Sequence, residues 1–176
     1  MALPTTIALT INSGFDRLSL FISSAGNVYA ILLDSIDISL IEAWKATDPT
    51  TAFVEQDVLS KPNLTDNVDA IAVYQVSDVI HIATQEIGGR VAYHTFNMAT
   101  DAWALVNEQI VAAATTNHRA VDIMVRSDGD VIVSYQGTVD TITMTDYKRV
   151  DYARREGGVW TVDISVDNGG AANWVG

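Results

Sequence analysis

The sequence predicts an all-β fold, β-propeller-like, with three four-stranded blades and the start of a fourth. Three observations predict it. Short apolar runs alternate with polar turns along most of the chain, which is the signature of strands and hairpins. The runs recur at an interval of about 51 residues, the period of a repeat architecture. Each recurrence closes on an aromatic residue: Phe53, Trp103 or Trp160.

The repeat is laid out by its first turn. Ser24-Ala25-Gly26-Asn27-Val28-Tyr29, Gln75-Val76-Ser77-Asp78-Val79-Ile80 and Ser127-Asp128-Gly129-Asp130-Val131-Ile132 superimpose, with Asn27, Asp78 and Asp130 in one place. Upstream, residues 18–22, 69–73 and 121–125 form the first strand of each unit. In the last of these, Val121, Ile123 and Val125 alternate with Asp122, Met124 and Arg126, the period of a half-buried strand. Downstream, Ile41-Glu42-Ala43-Trp44, Val91-Ala92-Tyr93-His94 and Val150-Asp151-Tyr152-Ala153 form a third strand, and the aromatic opens a fourth. The aromatic offsets are 50 and 57, which places an insertion at residues 138–147. Residues 35–46 could also be read as a helix, with Ile36, Leu40, Ala43 and Trp44 on one face; their repeat partners favour strand.

Such a sheet has two apolar faces and cannot bury both alone, so neighbouring units stack. The alternative is a β-sandwich with evenly spaced strands. The expected organisation is an N-terminal arm or closing strand over residues 1–16, with residues 6–11 as its strand. A repeat domain over 17–176 follows, its units near 17–67, 68–118 and 119–168. Asn168-Gly169-Gly170 and Asn173-Trp174-Val175-Gly176 read as the approach to a fourth unit. An unfinished repeat points to a part that works inside an assembly.

Charge narrows the partners. The 22 acidic and 10 basic residues give a net charge of -12, which repels nucleic acid and anionic membrane surfaces. The one dense basic cluster, Lys148-Arg149 with Arg154-Arg155, is interrupted by Asp151 and closed by Glu156. No cysteine is present, so thiolate chemistry and disulfides are excluded. The start of the chain lacks a basic export signal, and the apolar run 28–33 is too short to span a bilayer. The expectation is a soluble protein, in the virion, the cytoplasm or the extracellular medium.

Two phrases resemble a known family. Ser127-Asp128-Gly129-Asp130-Val131-Ile132-Val133-Ser134-Tyr135-Gln136-Gly137 and Val150-Asp151-Tyr152-Ala153-Arg154-Arg155-Glu156-Gly157-Gly158-Val159-Trp160-Thr161 are similar to sialidase-like (BNR, Asp-box type) propeller repeats. In that family polar turns separate the blade strands and a Trp closes the unit. The resemblance implies the propeller fold. It also implies a setting in phage virion proteins such as tail fibres and surface appendages. It departs from the family in two ways: Ser127-Asp128-Gly129 does not have the Asp-box spacing, and no Arg-Ile-Pro motif is present. No sialidase residue carries over.

Candidate chemistry is sparse. A sialidase needs three arginines and a Tyr-Glu pair, but spacing singles out no set among Arg90, Arg119, Arg126, Arg149, Arg154 and Arg155, or Glu86 and Glu156. His81, His94 and His118 lack the spacing of a zinc site. Asp128-Gly129-Asp130 and Asp167-Asn168-Gly169 resemble pieces of calcium loops, yet turn chemistry accounts for them. No cofactor is expected, with calcium the one candidate. Trp44, Trp103, Trp160, Tyr93 and Tyr152 recur at equivalent positions, as packing between units requires. The residues singled out as possible glycan or partner contacts are Tyr93, Tyr152, Arg154 and Arg155. The function expected is a non-catalytic structural or adhesion module of a larger assembly, a phage tail-fibre or surface component. Its partners would be other subunits, a homo-oligomer or a cell-surface glycan. The alternative is a sialidase-like glycoside hydrolase fragment or a glycan-binding module.

Overall fold

The computed structural model describes residues 15–34, 37, 39–48, 51–112, 120–136 and 150–163. The arm strand at 6–11, the insertion at 138–147, His118 and the approach to a fourth unit lie outside the described residues. Among those described there are twelve strands and no helix. They form three separate four-stranded antiparallel sheets, rather than the two packed sheets of a sandwich. The first sheet runs β1 (Phe15–Ile22), β2 (Val28–Asp34), β3 (Ile41–Ala46), β4 (Val54–Gln56). The second runs β5 (Val68–Val76), β6 (Val79–Glu86), β7 (Val91–Asn97), β8 (Ala102–Val111). The third runs β9 (Val121–Val125), β10 (Val131–Gln136), β11 (Val150–Glu156), β12 (Val159–Asp163). In each sheet every strand lies beside its neighbours in the chain, so the connections are all hairpins. The helix alternative fails at 41–46, where Ile41 to Ala46 form the third strand of the first sheet. Strand β1 also starts inside the expected N-terminal arm, at Phe15.

The first turn of each unit explains how well the repeat holds. In the first unit Ser23 donates its N–H to the Asn27 carbonyl at 3.0 Å, and Gly26 donates to Ser23 at 2.9 Å. In the third unit Arg126 donates to Asp130 at 2.9 Å, and Gly129 to Arg126 at 3.0 Å. Both turns need a left-handed residue at one position, and both place glycine there, at φ of 84° and 91°. The second unit departs from this. Its turn is only Ser77 and Asp78, with Ser77 left-handed at φ 52°. Asp78 therefore does not do the work of Asn27 and Asp130; it reaches the turn of the first unit, as shown below.

Chain contacts divide the protein into two compact units. One comprises Met1–Asn67, Gln75–Ile82 and Tyr93–Glu108; the other comprises Val68–Tyr74, Ala83–Ala92 and Gln109–Gly176. In the first, one face of the first sheet carries Val28, Ala30, Leu32, Ala46 and Phe53 as a buried cluster, with Leu18 and Trp44 packed against it. The register places Leu20 opposite Ala30 and Ile22 opposite Val28, hence on this same face, yet they are 46 % and 62 % exposed. A polar network closes the other end of the face. Glu42, buried, accepts from Trp44 Nε1 at 2.9 Å and from Lys61 Nζ at 2.8 Å, and Lys61 also reaches Glu55 at 2.8 Å. Burial disfavours the Lys61 charge, but the two carboxylates more than offset it and hold its pKa above the usual lysine value.

The opposite face of the first sheet, with Tyr29, Ile31, Leu33, Ile41 and Ala43, is 2 % exposed or less at every one of these positions. Residues of the second sheet meet it. The Tyr29 ring lies 5.9 Å from Phe96, which in turn packs edge-on to Trp103 at 5.2 Å. The Tyr29 hydroxyl is 2.7 Å from the Met98 carbonyl and 2.5 Å from Asp101. Lys45 pairs with Asp101 at 2.6 Å and sits 5.5 Å over the Tyr29 ring. At the turns, Asp78 accepts from Ser24 N–H at 2.6 Å and from its hydroxyl at 2.5 Å. Trp103 N–H donates to Asp57 at 2.9 Å, and Asn107 donates to the Asn63 carbonyl at 3.0 Å. An aromatic pair at the centre, ringed by charge-assisted bonds, thus joins the two faces.

Candidate functional site

The third sheet shows the same alternation, but its two faces have different fates. Val131, Val133, Tyr135, Ile123, Asp151 and Ala153 share one face and are all buried. The other face, called the outer face below, remains open. Across it runs one row of opposed residues, Met124, Ile132, Arg154 and Thr161, and beside it a second, Asp122, Ser134 and Tyr152. Met124 and Val150 are 50 % exposed and Tyr152 is 39 % exposed.

Arg154 is the best-held group on this face. Its Nε and Nη2 donate to Asp130 Oδ2 at 3.1 and 2.8 Å, and it also pairs with Glu156. The hydrogen bond to Asp130 keeps the guanidinium pKa above its already high ordinary value. Arg126 completes the ladder, 3.0 Å from Asp128 and 3.6 Å from Asp130. Both arginines lie at the surface, with Asp130 the more covered partner, so these pairs add little to stability. Their effect is to fix the direction of the arginine plane on the face that also carries Tyr152. Asp128 also accepts the Asp130 N–H at 3.2 Å, so both carboxylates of the calcium-like phrase are engaged by arginine and backbone. Among the described residues no group of three or more His, Asp or Glu side chains converges as metal ligands do.

The residues singled out from sequence fall in three places. Tyr152 and Arg154 stand two apart on β11 and come together on the outer face. Arg155 points to the opposite face, where it opposes Trp160 on β12. Tyr93 belongs to the second sheet, is 2 % exposed, and places its hydroxyl 2.7 Å from His81 Nδ1. His94, fully buried, accepts the Asn107 N–H on Nδ1 at 3.0 Å. Met124, Val150 and Asp130 were missed as parts of the face. Their signal was present in the alternation of β9 and in the turn, but it needed the register to be read.

Positional equivalence gives the outer face its meaning. The matching turns put Ser23 with Arg126 and Val28 with Val131. The registers Val28↔Ala46 and Val131↔Arg155 then put Lys45 with Arg154, Ala43 with Tyr152, Glu42 with Asp151 and Ile41 with Val150. Glu42 and Asp151 are alike in being buried acids at 5 % exposure. The next column differs. Ile41 and Ala43 are fully covered, whereas Val150 and Tyr152 are open. Lys45 has Asp101 of the second sheet across from it, whereas Arg154 is paired with carboxylates of its own sheet.

Comparison with known proteins shows the fold. No protein-family model and no curated protein matches the chain. Among solved structures, one described as a new family of polysaccharide lyase, PL25 ulvan lyase, matches with a TM-score of 0.55 at 16 % identity. A second, the same lyase bound to -[GlcA(1-4)Rha3S]-, matches with a TM-score of 0.54 at 14 % identity. Each match covers 82 % of this chain and 42 % of the other, so this chain spans less than half the length of those it resembles. The fold is all-β and β-propeller-like.

Proposed function

We propose that the chain is a non-catalytic structural or adhesion module of a larger assembly, and that it joins that assembly through the outer face of its third sheet. One observation carries the reading. Tyr152 and Val150 stand where Ala43 and Ile41 of the first sheet are covered, yet they are 39 % and 50 % exposed, while Arg154, in the place of Lys45, pairs with carboxylates of its own sheet. Open apolar residues on a central strand mark an interaction surface. The phage-virion setting rests on the sialidase-like phrases of the third repeat alone and is the finer part of the proposal.

The test uses the native complex recovered from cells that make the full chain. Arg154→Glu should leave the far-ultraviolet circular dichroism unchanged and lower the melting temperature, because it sets a third carboxylate beside Asp130 and Glu156. It should also shift the chain out of the large complex. An Arg154→Glu chain recovered at the wild-type mass contradicts the reading.

A second reading, glycan binding, is favoured by the fold shared with lyases, one of which was solved with an oligosaccharide. An exposed Tyr152 on the same face as a fixed arginine has the chemistry to hold a sugar. A net charge of -12 favours neutral over anionic glycans. Titrating neutral and uronate-containing polysaccharides decides it. Binding to a neutral glycan that is lost in Tyr152→Ala supports this reading, and no binding to any of them removes it.

A further inference from the structure

We propose that His94 is a proton-operated latch between the first and second sheets: neutral, it holds a bulge in β8 that ties the two together, and on taking up a proton it lets the bulge go. The inference goes beyond the assembly reading and stands without it.

The latch begins with a break in a strand's alternation. Along β8, Trp103 is buried while Ala104 and Val106 are exposed, as a period of two requires. Past Asn107 the order slips by one, with Gln109 exposed and Ile110 buried. Asn107 itself has a left-handed φ of 55°. A one-residue slip at a left-handed residue is a β-bulge, and its extra residue leaves the backbone ladder. The Asn107 N–H therefore needs an acceptor outside the ladder. His94, on the neighbouring strand β7, supplies it: its Nδ1 lies 3.0 Å away, and the residue is fully buried. A backbone N–H only donates, so Nδ1 carries no proton and the folded ring is neutral.

The bulge is tied in turn to the first sheet. Asn107 Nδ2 donates to the Asn63 carbonyl at 3.0 Å. Asn63 bridges to Leu40, and Leu64 N–H donates to the Ser39 carbonyl at 3.0 Å, so this segment flanks the start of β3. His94, Asn107 and Asn63 thus form one chain from the interior of the second sheet to the rim of the first. A solvent proton on Nδ1 turns the acceptor into a donor facing a donor, and the Asn107 bond is lost. The surroundings offer the new charge little. Glu86 N–H donates to the Arg90 carbonyl at 2.9 Å and Met98 N–H to the Asp78 carbonyl at 2.8 Å, one register at both ends, so apolar Ile82 of β6 stands opposite His94. On its own strand the next charge on that face is Arg90, about 13 Å along and paired with Glu86. On the face of the first sheet, Tyr29 and Lys45 are both engaged by Asp101, and Asp57 accepts the Trp103 N–H. Glu108 follows Asn107 on β8. An unfolded or opened histidine takes up its proton near pH ~6.5, whereas the latched one does so only by giving up its bond. Below that pH the open state binds more protons, so the latch is complete above it and weakens as pH falls.

Hydrogen exchange of the full chain tests this, on wild type and on His94→Gln, a replacement that stays neutral. In wild type, protection of the Asn107 amide relative to its intrinsic exchange rate should fall about tenfold from about pH 7.5 to about 5.5, the factor one histidine proton supplies over that range. The Leu64 amide should fall with it, and in His94→Gln both should stay level. Asn107→Gly, which keeps the N–H and suits the left-handed φ, should retain the pH dependence at residue 107 and remove it from Leu64. Protection at Asn107 that does not change with pH overturns the latch, as does a fall that His94→Gln retains. A fall at Asn107 that Leu64 does not share overturns the tie to the first sheet. Where His94→Gln does not fold, the ring-nitrogen chemical shifts of His94 in wild type decide. Protonation in step with the loss of Asn107 protection supports the latch, and a ring that stays neutral through that loss overturns it.

Discussion

At the scale of single residues, Tyr29, Lys45 and Asp101 show how a sheet-to-sheet join is locked. Burial raises the Tyr29 pKa first, and the hydrogen bond to Asp101 raises it further. The hydrogen bond to Asp101 raises that of Lys45. Both groups bind their proton more tightly when folded than when unfolded. Their contribution is therefore complete below the unfolded values, near pH ~10, and is lost as pH rises through the folded ones. Stability should fall above pH about 10. Tyr29→Phe should flatten that fall and cost about 1 kcal/mol at neutral pH, because a buried hydrogen bond to the Met98 carbonyl is lost. Urea melts of both proteins across the alkaline range measure this, and parallel curves would contradict it. A second test concerns Gly129. A Cβ there would meet no atom within 4 Å, so space is not limiting. Its φ of 91° is the limit, and Gly129→Ala should cost roughly 1 kcal/mol of stability as measured by denaturant unfolding.

At the scale of elements, the strands were legible because alternation and turn chemistry are local. Val121, Ile123 and Val125 announce β9 and its buried side, and Gly26 and Gly129 announce matching hairpins. Register was not legible. It depends on how each hairpin closes, and the second unit closes in two residues where the others use a longer turn. That difference is why Asp78 looked equivalent to Asn27 and Asp130 but instead clamps Ser24. Tyr93 and Tyr152 share a place in their strands but not their burial. Val91 and Val150 open their strands alike, yet Tyr93 lies buried against His81 and Tyr152 lies in the open. Side-chain direction has a period of two, so neighbouring residues on a strand stand on opposite faces. Arg155 accordingly stands one residue from Arg154 on the opposite side of β11, facing Trp160.

At the scale of the whole molecule, charge and pattern compete. A net charge of -12 makes copies repel at long range, while the outer face offers apolar residues and arginines already held by carboxylates. Salt screens long-range repulsion beyond about 10 Å but weakens close pairs less. The hold of the native complex on this chain should therefore tighten from low to physiological ionic strength. A steep loss of association over that range would mean that attraction between opposite charges, and not apolar contact, drives it.

The most direct measurement follows from the absence of cysteine in this chain. Met124→Cys puts one thiol in the middle of the outer face, at a position 50 % exposed, and nothing else reacts. That thiol should label rapidly in the dilute, dissociated chain and be strongly protected in the native complex, while a control thiol at exposed Ser127 labels equally in both. A Met124→Cys thiol that reacts as fast in the complex as in the free chain would show that the outer face is not where the module docks.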